Sequence, residues 1–281
     1  MSDPAQPDPQ PLPRPVVLGV VPYLNVQPLI WVFRNGSDGR GGPAPRIIPA
    51  RPRELAGRLR AGEFDAGMVP VYEYFGGGPR YTVVRGACIA TRGAVGSVML
   101  YSETPLERVH TILLDPASLT SVNLCRVLMA ERGLSVRFEE PPPDQQDRTP
   151  LDGVARLLIG DPAIAERGRH RHETDLGSLW HAETGLPFVF AAWLAHPRAA
   201  DLPLNDLLTD ARRVGMEHLD EVARLAPEFG TTPEYAMRYF RENMAYDPGE
   251  AELRGMELYG RLLAKHGLAP PADGPIRLHP L

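Results

Sequence analysis

Val16 to Pro28 reads Val-Val-Leu-Gly-Val-Val-Pro-Tyr-Leu-Asn-Val-Gln-Pro. A run of β-branched and aliphatic residues, too short for a helix and stopped by Pro22, predicts a buried strand of a parallel sheet. Tyr23, Asn25 and Gln27 follow at once, so they are expected just past the carboxyl end of that strand, where open α/β sheets keep their ligands. A second role for Asn25, capping a helix over Pro28 to Arg34, stays open at this level.

The pattern continues outward from there. Arg46 to Ala50 reads as a second strand and Pro52 to Ala61 as a helix, with Leu55 and Leu59 on one face, Pro52 in the first turn and Gly62 as the stop. Phe64 to Pro70 is a third strand, followed by a short helix from Val71 to Phe75. Strands alternating with helices call for right-handed βαβ crossovers and a parallel sheet. The Gly-rich stretch Asn35 to Pro45 has no Lys-Ser/Thr ending and reads as a connection, not a phosphate loop.

Thr82 to Thr91 and Ser97 to Ser102 read as strands with no helix between them, which suits a crossing from one lobe to another. A second α/β unit opens at His110 to Asp115. Pro116 to Ser121 leads into a helix ending at Gly133, with Val122, Cys125, Val127, Leu128 and Met129 on its apolar side. Val136 to Phe138 and Ala155 to Ile159 are further strands around a proline-rich loop, Pro141 to Pro150, and the apolar run Phe188 to Leu194 is the return crossing. From Leu204 the chain turns helical over Leu204 to Leu225, Pro233 to Met244 and Glu250 to His266, where apolar residues at helical spacing predict scaffold and not site.

Composition narrows the function classes. The 281 residues are 43% hydrophobic and 23% charged with a net charge of -5, which describes a soluble globular protein and argues against a nucleic-acid binder. Cys88 and Cys125 form neither a metal motif nor a disulfide framework and read as buried thiols. Met1 to Pro15 is proline-rich and acidic with no apolar core segment, so it reads as a disordered leader and not a signal peptide. Nothing later is long enough to span a bilayer, and the expected location is the cytoplasm.

Several residues could carry chemistry. Ser118, Thr120 and Ser121 lie between a strand and a helix, where unpaired backbone N–H groups and the helix dipole favour a carboxylate or phosphate; one of them could instead serve as an ordinary cap. Gly96-Ser97 lets backbone approach a ligand beside a hydroxyl donor, although Gly-Ser is also a common turn. Asp161, after Gly160 at a strand end, could act as base, orient a substrate hydroxyl, or cap the helix after Pro162. His170, His172 and Glu173 invite a metal, but the like charges of Arg167 to His172 oppose a cation and suit a solvated loop, so no metal is assigned. Neither a Gly-x-Ser-x-Gly setting nor a dinucleotide glycine fingerprint is present. Trp180, Phe188, Phe190 and Trp193 read as core, with one available to wall an apolar pocket.

Taken in order, a strand ending in Tyr-Leu-Asn and then Pro, Val-Gly-Ser-Val over Val95 to Val98, Thr120-Ser121 at a helix start, and Ile159-Gly-Asp resemble the MqnA family of chorismate dehydratases. The resemblance covers about Val16 to His196 and, more loosely, the helical C-terminus. It implies an α/β, two-lobed type 2 periplasmic-binding-protein-like fold with a helical C-terminal segment. Lobe 1 would comprise residues 16–98 and 192–281, and lobe 2 residues 99–191. The implied activity is elimination of water from chorismate in the futalosine route to menaquinone, with no cofactor and no metal. Asn25 and Asp161 would be the catalytic residues; Tyr23, Ser97, Thr120, Ser121 and Gly160 would bind substrate. The implied partner is the small molecule alone, with no nucleic acid and no membrane, and a homodimer is left open. Two other readings stand beside it. One is the sister family of the same pathway, which has Ser-Pro-Cys-Pro-Asn-Asp where this chain has Val-Pro-Tyr-Leu-Asn. The other is a non-catalytic binder of a small anion.

Overall fold

The computed structural model describes residues 12, 14–78, 80–141 and 151–280. Nearly all of the expected leader and of the proline-rich loop therefore lies outside the described residues. Two five-stranded sheets carry the chain. The first contains β1 (Val17–Val20), β2 (Arg46–Pro49), β3 (Ala66–Pro70), β4 (Thr82–Thr91) and β10 (Phe188–Ala195) in the order β2-β1-β3-β10-β4. The second contains β5 (Val98–Ser102), β6 (Thr111–Leu113), β7 (Arg137–Glu139), β8 (Val154–Ile159) and β9 (His172–Asp175) in the order β7-β6-β8-β5-β9.

The expected parallel pairing holds for β2-β1-β3 and for β7-β6-β8. It fails for the strands next to the crossings: β10 runs antiparallel to β3 and β4, and β5 antiparallel to β8 and β9. β4 passes into β5 with no helix between them, so no crossover unit dictates a parallel neighbour. Residues 92–97 carry the chain from the first sheet to the second, and residues 185–187 bring it back. Both crossings are pinned. Asp175 accepts from the N–H groups of Val95 (3.1 Å) and Gly96 (2.7 Å), and the Trp180 indole donates to the Pro187 carbonyl at 3.1 Å.

The helices pack on these sheets. In the first half they are α1 (Gln27–Arg34), α2 (Pro52–Arg60), α3 (Tyr72–Phe75) and α4 (Thr120–Glu131). α5 (Gly160–Glu166) and α6 (Leu176–Thr184) follow β8 and β9. α7 (Leu204–Glu217), α8 (Leu219–Ala223), α9 (Pro233–Arg238) and α10 (Glu250–Lys265) form the helical C-terminus, and α9 runs on into a π-helical turn, Tyr239–Asn243. β1 owes its glycine to packing: a Cβ at Gly19 would stand 2.6 Å from the Phe64 ring. Leu55 and Leu59 of α2 are fully buried on the same side. Trp180, Phe188 and Trp193 are core residues, as their spacing predicts, and both cysteines are buried.

The segment Arg167 to His172 is for the most part the exposed loop expected of it, with Arg167, Gly168, Arg169 and Arg171 open to solvent. It runs into edge strand β9, paired with β5 through Ser102 and His172, and a strand of His-Glu-Thr-Asp has no apolar alternation to announce it. The His170 side chain is buried between Glu166 (3.0 Å) and Glu103 (3.4 Å) and packs against the Tyr101 ring. Among the described residues no helix is long and apolar enough to cross a membrane.

Candidate functional site

A cavity partly open to solvent lies where strand ends of the two sheets meet the start of α4. Tyr23, Asn25, Ser97, Thr120, Ser121 and Gly160 all line it, although they come from four separate parts of the chain. Val21, Ile89 and Phe190 supply apolar walls, so Phe190 is a buried core aromatic that also lines the cavity.

Helix α4 begins without a capping side chain. Leu119 occupies the cap position, so none of Ser118, Thr120 and Ser121 spends its hydroxyl there. The first-turn N–H groups have no partner within the helix and, with the dipole behind them, favour an anion. Thr120 Oγ1 instead accepts from the Tyr72 N–H at 3.1 Å, which leaves its hydroxyl proton to donate elsewhere. The Tyr259 hydroxyl of α10 donates to the Thr120 carbonyl at 3.0 Å and holds this turn from behind.

The end of β1 forms a 3-10 turn, Leu24–Val26, before α1. Asn25 caps nothing: the cap residue of α1 is Val26. Its backbone carbonyl accepts from the Tyr246 hydroxyl at 3.0 Å, while its Oδ1 is buried without a partner among the described residues. A buried acceptor left unpaired is costly, and a site that keeps one is built to receive a donor. Gln27 takes a different task, donating to the Tyr23 carbonyl (3.0 Å) and accepting from Arg34 (2.6 Å), and does not line the cavity.

Ser97 and Gly160 are joined directly, the Gly160 N–H donating to the Ser97 carbonyl at 2.8 Å. Gly160 has a φ of +64°, and a Cβ there would stand 3.2 Å from three atoms of the Tyr23 ring, so the tyrosine lies flat on the glycine. Burial pushes the Tyr23 phenol up to about 12, with Asp115 and Asp161 adding to the shift. Asp161 stands one layer behind the lining residues. Its Oδ1 accepts from the Leu24 N–H at 3.1 Å, so it caps the turn that carries Asn25 and not its own helix. Burial pushes its carboxyl up to about 6, against the lowering effect of that bond.

Sequence reasoning missed two residues near this cavity. The Tyr239 hydroxyl lies 2.7 Å from Ser97 Oγ, and Tyr246 holds the Asn25 carbonyl. Both come from the C-terminal segment expected to be scaffold. A tyrosine at helical spacing gives the same signal whether its hydroxyl meets solvent or a site.

A sequence-family model described as menaquinone biosynthesis matches residues 16–265. The chain belongs to the menaquinone biosynthesis family. A relative from that family's chemistry, the chorismate dehydratase of Thermus thermophilus, is 32% identical over 270 residues, covering 89% of this chain and 96% of its own. Among solved structures, an Archaeoglobus fulgidus protein superposes with a TM-score of 0.67 at 14% identity, covering 90% of this chain and 98% of its own. The periplasmic aliphatic sulphonate binding protein SsuA of Escherichia coli gives a TM-score of 0.63 at 14% identity, covering 93% and 96%. This member of the menaquinone biosynthesis family thus has the two-lobed periplasmic-binding-protein-like fold that its sequence resemblance implies.

Proposed function

We infer that the protein is a chorismate dehydratase, a hydro-lyase acting in menaquinone biosynthesis. The single observation that supports the site is the convergence of Tyr23, Asn25, Ser97, Thr120, Ser121 and Gly160 on one cavity at an uncapped helix start. Chorismate carries one carboxylate on its ring, a second on an enolpyruvyl ether, and a ring hydroxyl on the carbon next to the ether. Loss of the hydrogen from the ether-bearing carbon and of the neighbouring hydroxyl forms one new ring double bond, releases water and leaves 3-[(1-carboxyvinyl)oxy]benzoate. Aromatisation drives the step.

The carbon that loses its hydrogen is conjugated to the ring carboxylate, so negative charge develops there as the C–H bond breaks. Donors aimed at that carboxylate gain strength in the transition state over the ground state, which is what accelerates a reaction. The Ser97, Thr120 and Ser121 hydroxyls and the first N–H groups of α4 are donors of this kind. The unpaired Asn25 Oδ1 holds the ring hydroxyl in the bound substrate, the hydroxyl leaves as water with a proton equivalent to the one lost from the ring carbon, and Phe190 and Ile89 hold the ring in an apolar slot. Tyr23 packs on Gly160 and lines the cavity, whereas Asp161 is not among its lining residues.

Two candidates remain for the base: the Asp161 carboxylate, whose raised pKa suits proton abstraction near neutrality, and the substrate's own second carboxylate. Incubating the purified protein with chorismate tests the function. Conversion to an aromatic acid lighter by one water is the expected result. Chorismate bound but recovered intact would make the protein a binder, and neither binding nor turnover would end the reading.

A further inference from the structure

The Tyr239 hydroxyl sits behind the cavity, fully buried on the π-helical turn that follows α9. π-Helical turns cost regular hydrogen bonding and recur at functional sites. Here the turn brings the phenol to 2.7 Å from Ser97 Oγ, and the Tyr235 ring stacks beside it with centroids 6.1 Å apart and planes 19° apart, which fixes the ring.

Either oxygen of the Ser97 and Tyr239 pair could donate. If Ser97 donated to Tyr239, only lone pairs of the serine would face the cavity, and a carboxylate would be repelled. If Tyr239 donates to Ser97, the buried phenol's proton has its acceptor and the serine proton is free for the ligand. We propose that Tyr239 is a positioning residue that sets the polarity of the site, donating its buried hydroxyl proton to Ser97 so that Ser97 presents its own proton to a substrate carboxylate. This rests on the anion-binding reading of the cavity.

Tyr239→Phe keeps the packed ring and removes the link. The expected loss is about tenfold in kcat, the size of one hydrogen bond, with KM changed less and the thermal midpoint close to that of the wild type. Ser97→Ala is expected to lose about a hundredfold, as for a donor at developing charge. Combining the two is expected to cost far less than the product of the single losses, because both changes break one chain of hydrogen bonds. Additive losses would overturn the proposal. A purely structural tyrosine would lower the midpoint and leave the two substitutions independent.

Two further measurements keep the test decisive. A crystal structure of the wild type with 3-(carboxymethoxy)benzoate, an unreactive dicarboxylate, should show Ser97 Oγ touching a carboxylate and Tyr239 together. Ser97 turned away from Tyr239 would overturn the proposal even if Tyr239→Phe does not fold. Binding of the same probe separates this inference from the activity. Without chorismate turnover, non-additive losses of probe affinity would sustain the Tyr239 assignment while the dehydratase reading falls, and absence of probe binding would remove both.

Discussion

Replacing Asp161 by Asn should make the protein more stable at pH 8 and less active. The carboxyl is pushed from an ordinary 3.8 up to about 6, chiefly by burial. At 1.36 kcal/mol per pKa unit that displacement corresponds to at most ~3 kcal/mol, and partial solvent contact at the carboxyl reduces it to about 1–2 kcal/mol. An asparagine keeps an acceptor oxygen for the Leu24 N–H, so the turn carrying Asn25 stays in place while the burial cost of the charge disappears. The folded state holds this proton more tightly than the unfolded chain. Unfolding therefore releases protons between about pH 4 and 6, and wild-type stability falls as pH rises through that window. Urea unfolding of both proteins should show Asp161→Asn ahead by about 1–2 kcal/mol at pH 8, with the gap closing near pH 4. If the ionised carboxyl serves the reaction, wild-type kcat/KM rises with pH through about 6 and levels above it. A variant less stable than the wild type at pH 8, or a gap that persists at pH 4, would refute the burial argument. Full activity in the variant would transfer the base to the substrate's own carboxylate.

Substitutions at three other positions probe the cavity. Asn25→Ala should lower kcat about 10²- to 10³-fold without lowering the thermal midpoint, because the Tyr246 bond goes to the backbone carbonyl and the side-chain oxygen has no protein partner to lose; unchanged turnover would remove Asn25 from the site. Gly160→Ala places a methyl 3.2 Å from the Tyr23 ring at a φ of +64°. It should cost about 1–2 kcal/mol in unfolding free energy and raise KM as the ring is displaced, and a neutral result would show that Tyr23 moves freely. Thr120→Val strands the Tyr72 N–H, at a cost of about 1–3 kcal/mol read by denaturant unfolding, whereas Thr120→Ser keeps the acceptor and should retain both stability and activity. A loss in Ser with Val unaffected would show that the methyl group, and not the hydroxyl, matters there.

Much of the site was legible because its residues sit where strands end or helices begin, positions that short-range patterns mark. Tyr23 and Asn25 follow a proline after an apolar run, Gly160 closes another, and Thr120 and Ser121 open a periodic helix. Asn25 and the Ser118 to Ser121 group each had an ordinary capping role open to them, and only the coordinates exclude it, since Val26 and Leu119 hold those cap positions without side-chain bonds. β9 and α6 were not legible, because a polar edge strand is defined by its backbone pairing with β5 and not by its own side chains.

The sequence by itself determined the local elements, the strand-end placement of the polar residues and, through four spaced motifs, the family. Local periodicity and backbone stereochemistry act over a few residues, so a single chain displays them directly. Only the tertiary structure decided that Asp161 serves the Leu24 N–H, 137 positions away, that β10 and β5 run against their neighbours, and that Tyr239 reaches Ser97 across 142 positions. Such contacts depend on how whole sheets and helices dock, and burial then forces each polar group to find a partner wherever the fold has placed one.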